Sequence, residues 1–143
     1  MISFISSLPS TTAALDAERT RLQVIAQNIA NANTTRGLDG RPYHRQQVVF
    51  ETVLQHARTQ AGSAGPQSGP RVSRIQDDLR PGGTTYQPGH PDADENGMVA
   101  QPNVSIYEEM ADMIVASRTY EANVAVFKNS RSLAMQALSI GKG

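Results

Sequence analysis

The sequence contains no cysteine. Disulfides, thiol nucleophiles, iron–sulfur clusters and cysteine-type zinc sites are excluded together. Tryptophan is also absent, and there are three phenylalanines. An apolar fraction of 38% over 143 residues fits one domain of ordinary length with too little apolar bulk for a large conventional core. Helices in such a chain find part of their apolar partners in other chains. An excess of one charge is missing too, because 13 Lys and Arg balance 13 Asp and Glu. That leaves no basic stripe for a phosphate backbone, and so no nucleic-acid partner, and no basic amphipathic helix for a membrane surface. No apolar run approaches the roughly 20 residues that span a bilayer. The first basic residue is Arg19, and Ser and Pro interrupt the apolar residues before it. The N-terminus therefore does not read as a cleaved signal peptide.

Catalytic motifs are equally scarce. His44, His56 and His90 show no i, i+4 spacing, and HExxH and G-x-S-x-G are missing. The nearest serine motif, Gly62-Ser63-Ala64-Gly65, falls in a low-complexity linker that would not hold an oxyanion hole. Phosphate-binding glycine motifs are absent as well. The sequence predicts no enzyme, no cofactor and no small-molecule substrate. One stretch looks chemical: Asp92-Ala93-Asp94-Glu95-Asn96-Gly97 resembles the opening of a calcium loop, with acceptors at Asp92, Asp94 and Asn96 and then a glycine. The closing bidentate glutamate is replaced by Asn103, and Pro88 and Pro91 stand where a preceding helix would be. A polar turn explains the same residues. A small extracytoplasmic calcium-binding module is the alternative.

What the chain does have is two amphipathic ends. From Ser10 to Ala32, Leu15, Leu22 and Ile29 recur every seven residues, and Ile25 and Ala32 continue the alternate three-and-four spacing. Glu18 interrupts the spacing. This is the stripe of a helix that packs on helices, with Ser10 after Pro9 as expected N-cap and Asp16 and Glu18 toward its positive end. Asn33, Thr34, Thr35 and Gly37 are stop signals. Near the other end, Ser105 and Glu108 read as a capping box. From there Ile106, Met110, Met113, Ser117, Tyr120, Val124, Phe127, Arg131, Ala134 and Leu138 alternate steps of four and three. These helices would reach about 33 Å and about 50 Å.

The intervening region differs in character. Tyr43–Leu54 is β-branched and aromatic and predicts a strand. Arg71–Ile75 is a shorter one, and Met98-Val99 another. The linker around residues 57 to 70 is low-complexity. The expected architecture is mainly α. A flexible segment 1–9 leads into terminal helices (10–36 and 104–143), which form an elongated coiled-coil-like bundle. Residues 37–103 form a small, irregular, β-containing insert. Because the helices are unequal in length, the C-terminal stripe stays partly uncovered in one copy, which predicts association.

The run ALDAERTRLQVIAQNIANANTT resembles the N-terminal signature of the bacterial flagellar rod, hook and hook-associated axial proteins. Asn28, Ile29, Ala30, Asn31 and Thr34 match its N-I-A-N-x-x-T pattern. RPYHRQQVVFE and PGHPDADENGMVAQPNVSIYEEMADMIVASRTYEANV are similar to rod members, so the resemblance covers nearly the whole chain outside the linker. Met98 stands where an aromatic is expected, and Gly37-Leu38-Asp39 lacks the usual tyrosine or phenylalanine. The resemblance implies a structural subunit that stacks helically with itself and other rod proteins and carries motor torque across the periplasm. It also implies contact with basal-body ring or adaptor proteins, and export, uncleaved, through the flagellar type III apparatus. Phe4 and Leu8, in Phe4-Ile5-Ser6-Ser7-Leu8, are similar to the apolar export motif of early substrates.

The expected assembly interface comprises Leu15, Leu22, Ile25, Asn28, Ile29, Asn31, Ile106, Met110, Met113, Tyr120, Val124, Phe127 and Leu138. Asn28 and Asn31 share a helix face beside the Ile25/Ile29/Ala32 stripe. Buried amides demand partners and fix register, so these two are expected to lock subunit orientation, while Asn33 and Thr34 end the helix.

Overall fold

The computed structural model describes residues 7–54 and 68–141. Helix α1 runs Ser7–Ala30. Strands β1 (Gln46–Leu54) and β2 (Ser68–Asp77) form one antiparallel pair, and β3 (Thr84–Tyr86) and β4 (Met98–Ala100) a second. Helix α2 runs Ile106–Ile140.

Helix α1 begins earlier than its sequence suggests. Ser7, Leu8 and Pro9 form its first turn, where proline's missing N–H and fixed φ carry no cost. Ser10 is therefore inside the helix rather than its cap, and no acidic residue occupies the first turn. The end is chemically explicit. Asn31 Nδ2 donates to Gln27 O at 2.9 Å, and Asn31 Oδ1 accepts from Thr34 Oγ1 at 3.2 Å. One asparagine thus satisfies a carbonyl of the last turn and turns the chain away. Residues 34 to 43 then form a closed loop, with Tyr43 N donating to Thr34 O and Gly40 at φ +77°.

The two helices pack antiparallel, since Asn28 meets Glu109 and Arg21 meets Asp112. One turn further along each helix from that second pair lie Ala17 and Ala116, both buried. Their small side chains let the backbones approach. Val24, Ile25 and Asn28 are the other buried residues of α1 among those described, and Ala32 is buried just beyond its end. The buried side of α2 centres on Glu109 and Ala116, one position off the stripe drawn from Ile106 and Met110. Those two residues are exposed.

The β1–β2 ribbon lies along α1. Gly69 sits close enough that an added Cβ would lie 3.4 Å from Ala13 Cβ. Residues 68 to 70, expected in the linker, thus start β2; the rest of that linker, 57 to 67, lies outside the described residues. Strand β1 starts at Gln46 rather than Tyr43, because side chains claim the backbone before it. Arg45 N donates to Asn103 Oδ1, and Gln46 N to Asn28 Oδ1. Between Val49 and Phe50 the ribbon carries a bulge, which shifts the register from Val49↔Arg74 to Phe50↔Val72.

Candidate functional site

Two features stand out: a buried polar hub inside the chain and a series of exposed apolar side chains along α2. The hub begins at Asn28, which is 1% exposed. Its Nδ2 donates to Gln46 O and to Glu109 Oε2, both at 2.9 Å, and its Oδ1 accepts from Tyr43 O–H and Gln46 N, again at 2.9 Å. The amide's two donors and two acceptor sites are all used. Glu109, fully buried, accepts at its other oxygen from Arg45 Nε. The Arg45 guanidinium reaches Asp112 at 3.2 Å and Asp78 at 3.7 Å. A charge buried this deeply persists only when paired and hydrogen-bonded, and Glu109 has both. An open cleft of about 450 Å³ runs beside the hub, lined by Arg21, Val24, Ile25, Phe50 and the hub residues.

Two groups report this electrostatics. Hydrogen bonds from the Arg80 side chain and backbone, with the nearby Arg80 and Arg45 charges, hold the Asp78 carboxyl below its ordinary value against a smaller opposing effect of burial. Burial, followed by the charges of Asp77 and Glu109, pushes the Tyr43 phenol above its ordinary value. The donors and acceptors of the hub are committed to one another and tie α1, β1 and α2 together.

Asn28 and Ile25, two of the expected interface residues, are buried within the chain, and Asn28 bonds to Tyr43, Gln46 and Glu109. The lock that asparagine provides joins α1 to β1 and α2. Asn31 is half-buried and caps α1. Leu15, Leu22, Ile29, Met113, Tyr120, Val124 and Phe127 are half-buried, and Ile106, Met110 and Leu138 are exposed. Phe4 lies outside the described residues, and Leu8 is in the first turn of α1.

Exposed large apolar side chains recur along α2. Met110, Ile114, Val115, Val126, Leu133, Met135, Leu138 and Ile140 are each at least half exposed. Two shallow grooves follow one another along it, one of about 400 Å³ among Met110, Met113, Ile114 and Ser117, the next of about 380 Å³ among Tyr120, Val124, Ala125 and Lys128. Helix α1, with 24 residues, is about 16 Å shorter than α2 with 35, so the far end of α2 projects beyond it.

The calcium reading does not survive the geometry. Asp92 turns to Thr35 Oγ1 at 2.8 Å and to Arg36 at 3.2 Å. Asp94 Oδ1 accepts from the backbone amides of Asn96 and Met98. The two carboxylates are committed to different partners, and among the described residues no three acidic or histidine side chains converge as a metal site would need. The His90 Nδ1 accepts from Asp92 N at 3.1 Å and belongs to the same turn.

Glu109 is a hub residue that the sequence analysis does not single out. Glu109 and Ala116 are seven apart, but a glutamate and an alanine carry no hydrophobic signature that would mark the buried face.

Comparison with known proteins gives a consistent result. Residues 10–36 match the family described as flagella basal body rod protein. Residues 95–140 match the C-terminal region of flagellar basal body rod FlgEFG proteins. The flagellar basal-body rod protein FlgC of Yersinia enterocolitica is 42% identical over 129 residues, covering 90% of this chain and 91% of that protein. FlgC of Borreliella burgdorferi is 40% identical, covering 96% and 97%. FlgC of Bacillus subtilis is 37% identical, covering 95% and 97%.

Proposed function

The chain belongs to the FlgC family of flagellar basal-body rod proteins, and we propose that it builds the proximal rod by stacking the exposed surface of α2 against neighbouring subunits. It is a structural subunit of the basal body, not an enzyme. Stacking is helical and non-closing, with other copies and other rod proteins as partners, because a heterologous contact that does not close gives a filament. Elongated helix pairs stacked this way share many lateral contacts, and torque passes through them across the periplasm. In the assembly the helices complete a coiled-coil-like bundle, with Ile106, Met110, Met113, Tyr120, Val124, Phe127 and Leu138 meeting neighbours. Leu15, Leu22 and Ile29 add to the same bundle. The subunit leaves the cytoplasm uncleaved through the type III apparatus, using Phe4 and Leu8, and its β-containing part reaches toward ring or adaptor proteins.

The observation that carries this reading is the run of exposed large apolar residues from Met110 to Ile140. A single chain leaves them in water on several sides of α2, as a helix surrounded by neighbours in an assembly would have them. Ile114→Glu and Leu138→Glu change residues that are 63% and 68% exposed. Both should leave the helical circular dichroism signal unchanged, yet give cells without complete rods in electron images of basal bodies and without external filaments. Normal rods in both strains would remove α2 as the stacking surface.

A further inference from the structure

We infer that Asn103 and Asp92 are positioning residues, a two-point mount that fixes the direction in which the β3–β4 hairpin projects from the helix pair. Among the described residues, β3 and β4 contact no other helix or strand. Three ladder positions hold them to each other, so nothing in the packing of elements aims them. Their aim comes from the connecting loops.

Three passes of the chain meet at the neck where the hairpin leaves: residues 43 to 46 enter β1, residues 78 to 80 lead outward from β2, and residues 101 to 105 return to α2. One side chain touches all three passes. Asn103 Oδ1 accepts from Arg45 N at 2.7 Å, and Asn103 Nδ2 donates to Asp78 O at 2.9 Å and Arg80 O at 2.8 Å. The second and third passes are also pressed together. A Cβ added to Gly82 would fall 2.0 Å from Gln101 O, and Gln101 N donates to Gly83 O. Arg45 then carries the clasp to Glu109 and Asp112 on α2, and Glu109 carries it to α1 through Asn28. The base of the hairpin is thus tied to both helices by side chains whose hydrogen-bonding groups are paired, the condition under which a polar network rigidifies.

The second point lies on the hairpin's flank. Asp92, in the loop joining β3 to β4, accepts from Thr35 Oγ1 and Arg36 Nη1 just beyond the end of α1. Two separated anchors remove the rotation that a single one would allow. What the fixed direction is for rests on the stacking reading, in which a subunit under torque must not let its outer part swivel. The mount itself is wholly intrachain and operates in a single copy.

The parent chain has no cysteine, so Thr85→Cys on β3 and Ala122→Cys on α2, both exposed, supply the only two thiols for spin labels. Pulsed electron resonance on the purified full chain should give a narrow distance distribution. Asn103→Ala and Asp92→Ala should each broaden it, and together they should widen it by about twofold or more, with helical ellipticity unchanged. If the double variant loses ellipticity, the two single variants decide. A distribution equally narrow in the variants, or already broad in the parent, overturns the mount. Neither result touches the stacking reading, which is tested by the rods formed in cells.

Discussion

Asn28 and Glu109 stand 81 positions apart, and the amide of the first donates to the carboxylate of the second at 2.9 Å in the buried centre of the molecule. That bond joins the two ends of the chain at the point where the β segment departs. Register between α1 and α2 is therefore set before any neighbour arrives.

Asn28→Leu should destabilise the isolated chain. It leaves the Tyr43 hydroxyl, both backbone groups of Gln46 and one Glu109 oxygen without their partner. Buried groups left unsatisfied make this roughly 3 kcal/mol. Asn31→Leu removes only a partly exposed cap and should cost about 1 kcal/mol or less. Urea unfolding of the two variants measures the contrast, and equal losses would contradict the placement of Asn28 at the hub.

Glu109→Ala strands the Arg45 guanidinium, whose side chain is 14% exposed. Breaking a buried pair from one side typically costs about 3–5 kcal/mol. Here the low end is expected, because Asp112 and Asp78 still face Arg45. Glu109→Ala with Arg45→Met should recover part of the loss, since both charges are then gone. Thermal unfolding of the single and double variants gives the coupling.

The two helices, the cap at Ser105 and most of the strands were legible because each leaves a local signal: period, capping residue or β-branched run. Ser105 caps α2 as expected, its Oγ accepting from Glu108 N. The face that α2 presents to α1 was not legible. A burial stripe centred on a glutamate and an alanine carries no hydrophobic signature, and Glu109 is inside only because Arg45, distant in sequence, folds over it. Strand β3 was missed for a similar reason. Thr84-Thr85-Tyr86 is fully exposed and becomes a strand only by pairing with Met98–Ala100.

Acid should loosen the neck through Asp78. Its folded-state carboxyl titrates below the ordinary value of 3.8, so its contribution is complete above about pH 4 and is lost as pH falls through the folded value. Arg80, its main partner, is largely in solvent, which keeps the effect small. Asp78→Asn should flatten the acid limb of a stability–pH curve measured by chemical unfolding. An unchanged limb would show that the neck does not depend on this carboxylate.

Tyr43 marks the alkaline side. Its folded value is raised above 10.0, first by burial. Its share of stability is present below the unfolded value and disappears as pH rises through the folded one. Ultraviolet titration should show a tyrosine that ionises late in the native chain and at the ordinary position in denaturant. Tyr43→Phe should abolish that late component. If the late component survives, Tyr43 is not the buried phenol that its hydrogen bond to Asn28 implies.

Gly97→Ala offers a test of how independent the β3–β4 hairpin is. Gly97 has φ +74°, and a Cβ there would lie 3.0 Å from both Pro88 Cβ and Tyr86 Cε2. The left-handed backbone alone costs an L-residue about 1–2 kcal/mol, and the contacts add to it. Gly83→Ala, with nothing within 4 Å of the added carbon, should be close to neutral. Because the hairpin contacts no other element among the described residues, the Gly97→Ala loss should stay local. Amide hydrogen exchange should accelerate across residues 84 to 100 and remain unaltered in α1 and α2. Faster exchange spreading to the buried turn around Glu109 would instead show that hairpin and helices unfold as one cooperative unit.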